Sequence, residues 1–501
     1  MRKLVGLSLI LFTALNLSAA KFPKREMRAA WIATIANIDW PSSANLSSDK
    51  QQKEFIELLD LCKVYNLNTV VFQIRPAADA FYASEIEPWS QWLTGKQGKS
   101  PEPFYDPLEF ASIECRKRGI DLHVWLNPYR AVSDVSSNRT ASDHISNTHP
   151  EWFVTYGKTK LFDPGLPQTR NYVTSIVCDI VRRYDIDAIH MDDYFYPYHI
   201  SGVDFPDDNS FGMYPRGYKP EERNDWRRHN VDLIIRQLHD SIKAIKPWVQ
   251  FGISPFGVWR NADKDPSGSK TKAGQTNYDD LFADIVKWEK NKWIDYVTPQ
   301  VYWEIGKEIA DYKIIANWWS QNSYGAQLYI GHGLYKLDPE AKEPSWRSAD
   351  EIVNQITLNR SLPAIAGSMF YSAKFLRKNP LELQQKIVDR LYRFPALTPI
   401  NERINPLLAQ EPSNAVLQVI DGQINFSWQK GDNTKSFVIY QFKKIQRKNI
   451  KNPARIFYAT SDNSIAFKLT EFTDPRHFKY VVTALSPTNN ESKPIRFSKV
   501  Y

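Results

Sequence analysis

Between residues 28 and 372, short apolar runs alternate with segments whose apolar residues recur at helical spacing, until eight runs are counted. The runs lie at 28–35, 69–76, 121–128, 188–196, 250–257, 296–303, 327–334 and 364–372. Between them, Phe55, Leu58, Leu59 and Cys62 share one face of a helix over 52–65. Leu233, Ile234, Leu238, Ile242 and Ile245 do the same over 230–246. Strand, helix, strand repeated eight times predicts an α/β fold, a (β/α)8 TIM barrel. A doubly wound open sheet is the rival, but the strand count and the lack of a Gly-rich phosphate turn weigh against it.

A chain of 501 residues is too long for one ordinary core. After Pro406 the texture changes to short strands separated by turns such as Asp421-Gly422, Gly431-Asp432 and Asp462-Asn463. That spacing predicts a β-sandwich, and Tyr480 ahead of Val482 and Ala484 resembles the late-strand tyrosine of fibronectin type III modules. The expected organisation is an export signal over 1–20, the barrel over 21–400 and a fibronectin type III-like sandwich over 401–501. The signal reads from Arg2 and Lys3, the apolar run 4–17 and the small residues Ser18-Ala19-Ala20. The apolar run is short for a membrane span, and no Cys stands at the cleavage point to take a lipid. A periplasmic or secreted protein is expected.

Formal net charge is +8; without Arg2 and Lys3, 62 basic residues face 56 acidic ones, an excess of six. An excess of that size suits an anionic polymer but is no nucleic-acid footprint. Cys62, Cys115 and Cys178 each fall in a predicted helix with apolar neighbours, which predicts buried free thiols. No cofactor is expected. His144 and His149 have the wrong spacing for paired metal ligands, and Asp204, Asp207 and Asp208 lack an EF-hand pattern. No Gly-x-Ser-x-Gly elbow supports a serine esterase.

Barrel enzymes carry their chemistry at the C-terminal ends of the strands. Strand residues alternate faces, so in Ile189-His190-Met191-Asp192 the apolar pair points outward while His190 and Asp192 point inward. Asp192 therefore leads the candidates for catalysis, with Asp193 turned away from it to bind a substrate hydroxyl, tune its neighbour's pKa or pair with Arg75. Glu304 follows the sixth run and offers a second carboxylate across the mouth, the arrangement glycoside hydrolysis requires. His190 lies one layer deeper and reads as a hydrogen-bonded core histidine. Arg75 and Asn127 are placed inward at the second and third tips. Arg75 is expected to hold Asp192 ionised or to pair with Asp193, and Asn127 to bind a sugar hydroxyl or a carboxylate. Asp39 and Trp40 follow the first run. Trp40, Tyr196, Trp259 and Trp303 offer flat apolar faces to pyranose rings, and the long loops 129–166, 197–220 and 258–276 are crowded with further aromatics.

Several of these segments together carry a resemblance. Arg28-Ala29-Ala30-Trp31, Asn37-Ile38-Asp39-Trp40-Pro41 and Phe72-Gln73-Ile74-Arg75-Pro76 are followed by Trp125-Leu126-Asn127-Pro128-Tyr129-Arg130. Then come His190-Met191-Asp192-Asp193-Tyr194-Phe195-Tyr196-Pro197 and Thr298-Pro299-Gln300-Val301-Tyr302-Trp303. Over roughly residues 24–350 the chain resembles glycosyl-hydrolase-like family ten, which includes a division-associated glycosidase acting on peptidoglycan strands stripped of stem peptides. The resemblance implies a (β/α)8 barrel, a polysaccharide substrate such as peptidoglycan glycan, and a division-complex protein as partner. The expectation is an exported glycoside hydrolase with Asp192 as nucleophile or charge stabiliser and Glu304 as proton donor. Alternatives are a non-catalytic glycan-binding or division-site scaffold protein and a carbohydrate deacetylase or esterase. The segment 187–194 also echoes the Asp-Gly-x-Asp-x-Asp-x-Glu strand of chitinase-type barrels. Tyr194 stands where those barrels place the catalytic Glu, which argues against substrate-assisted catalysis of that kind.

Overall fold

The computed structural model describes residues 22–137 and 140–500; the segment read as an export signal lies outside them. Among the described residues no helix is long and apolar enough to cross a membrane. Eight parallel strands close into a barrel. They are β1 (Met27–Ile32), β2 (Thr69–Arg75), β3 (Asp121–Leu126) and β4 (Ala188–Met191). β5 (Gln250–Ile253), β6 (Tyr296–Val297), β7 (Gln327–Gly333) and β8 (Ile365–Tyr371) complete the circle, with β8 paired to β1. All eight predicted runs are strands, but several stop early. The run 188–196 leaves the ladder after Met191 and the run 296–303 after Val297. Residues beyond those points are still covered by the loops over the mouth, so the apolar pattern outlasts the pairing.

A main helix follows each strand, from α1 (Ser48–Val64), α2 (Pro107–Lys117) and α3 (Pro167–Arg183) to α4 (Arg223–Ile245) and α5 (Ile285–Lys290). α6 (Tyr312–Gln321), α7 (Asp350–Ser361) and α8 (Leu383–Arg390) follow. Val70, Phe72 and Ile74 of β2, Leu122, Val124 and Leu126 of β3, and Ile189 and Met191 of β4 pack outward into the helix layer. Cys62, Cys115 and Cys178 lie on α1, α2 and α3 as free thiols, the first two buried and the third half-buried.

The barrel interior is filled by Ala29, Trp31, Val71, Trp125, Tyr296, Tyr329 and Met369 together with His123 and His190. Gly252 makes room for one of these, since a Cβ there would lie 1.9 Å from the Tyr296 ring. The Tyr296 hydroxyl is 2.9 Å from His123 Nδ1 and 2.8 Å from His190 Nδ1. Trp31 Nε1 can only donate, and it faces His190 Nε2 at 3.3 Å. His190 therefore carries its proton on Nδ1, toward Tyr296. Burial holds His190 well below the usual histidine range, so it stays a neutral core residue, as its depth in the strand predicted.

Residues 413–500 form two packed sheets. Their strands are β9 (Ser413–Ile420), β10 (Gln423–Gln429), β11 (Ser436–Lys443) and β12 (Ile456–Thr460). β13 (Ser464–Lys468), β14 (Phe478–Leu485), β15 (Ile495–Arg496) and β16 (Ser498–Val500) follow. The sheet orders are β13–β10–β9–β16 and β12–β11–β14–β15. Leu417, Ile424, Phe426 and Trp428 from one sheet meet Phe437, Ile439, Tyr480 and Val482 from the other. The Tyr480 hydroxyl donates to the Thr473 carbonyl at 2.8 Å.

This sandwich sits against the N-terminal ends of the barrel strands, away from the mouth. Lys435 Nζ, nearly buried, reaches Asp121 Oδ1 at 2.8 Å and Asp187 Oδ1 at 3.1 Å. Asp121 opens β3 and Asp187 immediately precedes β4. At Gly119, a Cβ would come within 2.6 Å of Ala459, so the two parts touch through backbone. Lys435→Ala would leave the buried Asp121 carboxylate without its cation, while Asp187 keeps Arg116 at 2.6 Å; breaking a buried pair in this way typically costs about 3–5 kcal/mol. A lowered denaturation midpoint is expected, with the rate per folded molecule unchanged because the mouth lies at the opposite end.

Candidate active site

A cavity of about 650 Å³ opens where the strands end. Each strand delivers wall residues at or just beyond its C-terminal tip. Trp31 comes from β1, Gln73 from β2, Trp125 from β3, Asp192 and Asp193 from β4, Ser254 and Phe256 from β5. Gln300, Tyr302 and Trp303 follow β6, Tyr335 and Lys336 follow β7, and Tyr371 ends β8. Asp192 and Asp193 are the carboxylates among the described lining residues; the rest of the wall is aromatic, amide, hydroxyl, aliphatic or cationic.

Both aspartates face this cavity, which corrects the expectation that Asp193 turns away. Alternation of faces holds only while the strand lasts, and β4 ends at Met191. Asp192 is 3% exposed and is gripped from below. Trp125 Nε1 donates to Oδ2 at 3.1 Å, Asn127 Nδ2 lies 3.2 and 3.3 Å from its two oxygens, and the Tyr194 amide donates to Oδ1 at 3.4 Å. Burial raises its pKa above the ordinary carboxylate range, while the positive charge of Arg130 and these N–H donors pull it back. Asn127 is thus the carboxylate holder that its inward position allowed, and its Oδ1 accepts the Arg130 amide at 2.9 Å. The Arg130 guanidinium lies over the Tyr194 ring, 4.5 Å from its centre.

Asp193 differs. It accepts a hydrogen bond from the Tyr198 hydroxyl and has no cation among its nearest partners. Burial first, and the adjacent Asp192 charge second, push its pKa up to about 7. Two neighbouring carboxyls in one low-dielectric site divide their roles in this way, one able to hold a proton at neutral pH beside one held by donors and a nearby cation.

The other expected site residues are placed elsewhere, apart from Trp303, which lines the cavity against Phe256. Arg75 does not reach Asp192 or Asp193. It is fully buried and makes a two-pronged pair with Glu87, both bonds 2.7 Å, while Nη1 donates to the Asn127 carbonyl at 2.6 Å. It therefore supports the loop that carries Asn127. Glu304 is not on the cavity wall; its carboxylate receives Trp346 Nε1 at 3.0 Å and lies 3.3 Å from Lys307 Nζ. Asp39 ties the end of β1 to the segment after β8, accepting from the Ala33 and Lys374 amides and the Ser372 hydroxyl, each at 2.7 Å. Trp40 is core, packed on Phe55, Phe72 and Phe81, with its indole N–H on the Gln51 carbonyl. Tyr196 is core too, wedged between Phe205 and Phe282. Trp259 stacks on Trp318 away from this cavity.

Among the described residues, the long loops send Arg130, Tyr198 and Gln275 to the wall. Their other aromatics pack on each other or on nearby helices, as in Tyr156 on Phe205 and Phe211 on Trp226. Arg130, Tyr198, Tyr302 and Tyr371 escaped sequence reading as site residues. Arg130 and Tyr302 stand inside the motifs quoted above, Arg130 two residues past the third predicted run and Tyr302 one residue before the end of the sixth, and that position was their available signal.

The sequence model described as Glycosyl hydrolase-like 10 matches residues 26–348. The chain is 42% identical over 482 residues to the glycosyl hydrolase YngK of Bacillus subtilis, covering 94% of this chain and 92% of that one. It is 37% identical over 378 residues to the glycosyl hydrolase DigH of Escherichia coli K12, covering 71% and 84%. Among solved structures, the glycoside hydrolase domain of PgaB (BpsB) from Bordetella bronchiseptica superposes with a TM-score of 0.47 at 10% identity. That alignment covers 73% of this chain and 98% of that one.

Proposed function

The chain belongs to the glycosyl hydrolase-like 10 family and is a glycoside hydrolase, and from that premise we propose that it acts after export on bacterial cell-wall glycan, with peptide-free peptidoglycan strands as substrate. Asp193 is the proton donor to the leaving oxygen and Asp192 the ionised partner beside it. The observation that carries this reading is the shared cavity of the two aspartates, with Asp193 able to hold its proton near pH 7. A donor must be protonated where the enzyme works, and Asp193 meets that condition.

The wall suits a sugar polymer. Trp303, Phe256 and Tyr302 give broad apolar faces for pyranose C–H patches, while Gln73, Gln300 and Ser254 offer polar groups to hydroxyls. Arg130 and Lys336 add positive charge on the same wall. Peptide-free strands expose lactyl carboxylates, and those cations supply attraction where neutral glycans gain none. Trp303→Ala removes a stacking face that packs on Phe256. A rise in KM of roughly tenfold, equivalent to about 1.4 kcal/mol, is expected with kcat nearly unchanged.

The test is to incubate the purified chain with peptide-free and with peptide-bearing peptidoglycan and to identify soluble fragments by mass spectrometry. Oligosaccharide release from the peptide-free polymer, and much less from the peptide-bearing one, is the expected result. Retained binding to the polymer without any product would refute the enzymatic reading and leave a glycan-binding protein.

A further inference from the structure

Hydrolysis by two protein carboxylates requires one on each side of the scissile bond, about 5 Å apart for a retaining nucleophile and acid and wider for inversion. Here the two carboxylates belong to consecutive residues, whose Cα atoms are about 3.8 Å apart, at one strand tip. They approach a bound sugar from the same edge. Across the barrel from β4 stands β8, which presents Tyr371, and the neighbouring tips of β6 and β7 present Tyr302, Tyr335 and Lys336. No described residue on that side of the wall is a carboxylate. Burial keeps the three tyrosines as neutral phenols, so none supplies a phenolate nucleophile.

We propose that the nucleophile is the substrate's own 2-acetamido oxygen, with Asp192 orienting that acetamide through its N–H and Asp193 serving as acid and then base, so that the sugar whose C1 reacts must be a 2-acetamido-2-deoxy sugar. The inference rests on the glycoside-hydrolase reading above and deepens it. In the first half-reaction the acetamido carbonyl oxygen bonds to C1 and the C1–O glycosidic bond breaks. The leaving oxygen keeps the electron pair and takes the Asp193 proton. The sugar becomes an oxazoline-type ring whose N–H faces the Asp192 carboxylate. In the second, water bonds to C1 and gives its proton to Asp193, and the C1–O bond of the ring opens to restore the acetamide. The net change is addition of one water with retention at C1.

Asp192 is built for the orienting task. An ionised carboxylate has about four acceptor positions; Trp125 takes one on Oδ2, the Tyr194 amide takes one on Oδ1, and Asn127 Nδ2 is shared between the two oxygens at 3.2 and 3.3 Å. Asp192 lines the cavity, and an acetamide N–H there takes the place of one of the two long, shared Asn127 contacts. Trp31 and Trp125 line the wall near it, providing apolar surface for the acetamido methyl. An internal nucleophile needs no protein carboxylate opposite, because oriented intramolecular attack carries effective molarities of about 10⁵–10⁸ M. Tyr194 in place of the chitinase-type Glu is no obstacle. That comparison presumes a strand running on past Asp192, whereas β4 ends at Met191 and both Asp192 and Asp193 face the cavity.

Three readouts on the full chain test this. N-acetylglucosamine thiazoline, which mimics the bicyclic intermediate, should bind by calorimetry at least 10²-fold tighter than N-acetylglucosamine, as transition-state mimics do. Asp192→Asn should lose most of that preference while still binding N-acetylglucosamine. Peptide-free glycan should be cut with retained anomeric configuration by NMR, and the same glycan after N-deacetylation should be cut at least 10²-fold more slowly. An inverted product, a covalent glycosyl adduct on the protein by mass spectrometry, or equal cutting of deacetylated glycan would overturn the inference while leaving the hydrolase reading intact. Failure to cut any glycan, acetylated or not, would refute that reading and the proposed nucleophile with it.

Discussion

Asp193→Asn is expected to cut turnover on glycan by about 10²–10⁴-fold, the range associated with losing a positioned general acid. The amide can still accept the Tyr198 hydroxyl, so the fold around it should persist. In the wild type, activity should fall as pH rises through about 7, because Asp193 then gives up the proton it must deliver. The variant should lose that alkaline limb along with most of its rate. The variant's stability should move the opposite way from its rate. The Asp193 carboxyl holds its proton to about 7 when folded, but releases it near its ordinary value of about 3.9 when unfolded. Its contribution to stability is therefore fully present below pH 3.9 and is lost as pH rises through 7. At pH 8 the Asn variant should melt higher than wild type, by an amount worth a few kcal/mol at most, and at pH 4 the two should converge. A variant that is dead yet more stable at pH 8 is not a misfolded one. A melting midpoint lower than wild type at pH 8 would count against the assigned protonation.

Asp192→Asn should be nearly as damaging, with a loss of about 10²–10³-fold, comparable to removing one preorganised electrostatic group at a reacting centre. Donors converge on both oxygens of Asp192, so an amide nitrogen there must face an N–H from Trp125, Asn127 or Tyr194. Burial is the larger cause of the raised Asp193 pKa and stays in place, but the substitution removes the second, the Asp192 charge. The residual activity should therefore show its alkaline limb at lower pH than wild type does. If the limb stays in place, Asp192 is not the neighbour that sets it. Because Asp192 and Asp193 act as a unit, the double variant should be little worse than the poorer single one.

Much of the fold was readable because parallel barrel strands are buried on both faces and so appear as continuous apolar runs, such as Val70 to Ile74 and Leu122 to Leu126. Asp192 was readable because alternation along Ile189, His190 and Met191 carries one residue further. Asp193 was misread at the point where that rule lapses, since a strand's end is set by pairing with β3 and β5 rather than by its own residues. Arg75 was placed inward with an acidic partner expected, but that partner is Glu87 from the loop twelve residues on, and local spacing carries no sign of that pairing. Trp40 and Tyr196 show the same limit for aromatics. Each stands just past a tip, and only the folded loop decides whether the ring faces the cavity, as Trp303 does, or turns under into the core. Glu304 is separated from the cavity by the turn its own residue begins, where Lys307 and Trp346 claim the carboxylate.

That last contrast supplies the most direct measurement. Rates of oligosaccharide release from peptide-free glycan should be compared for wild type, Asp193→Asn and Glu304→Gln, with each variant's folding checked by its melting curve. The account predicts a loss of at least 10²-fold for Asp193→Asn and a rate within a few-fold of wild type for Glu304→Gln. A folded Glu304→Gln that is inactive beside an active Asp193→Asn would contradict it.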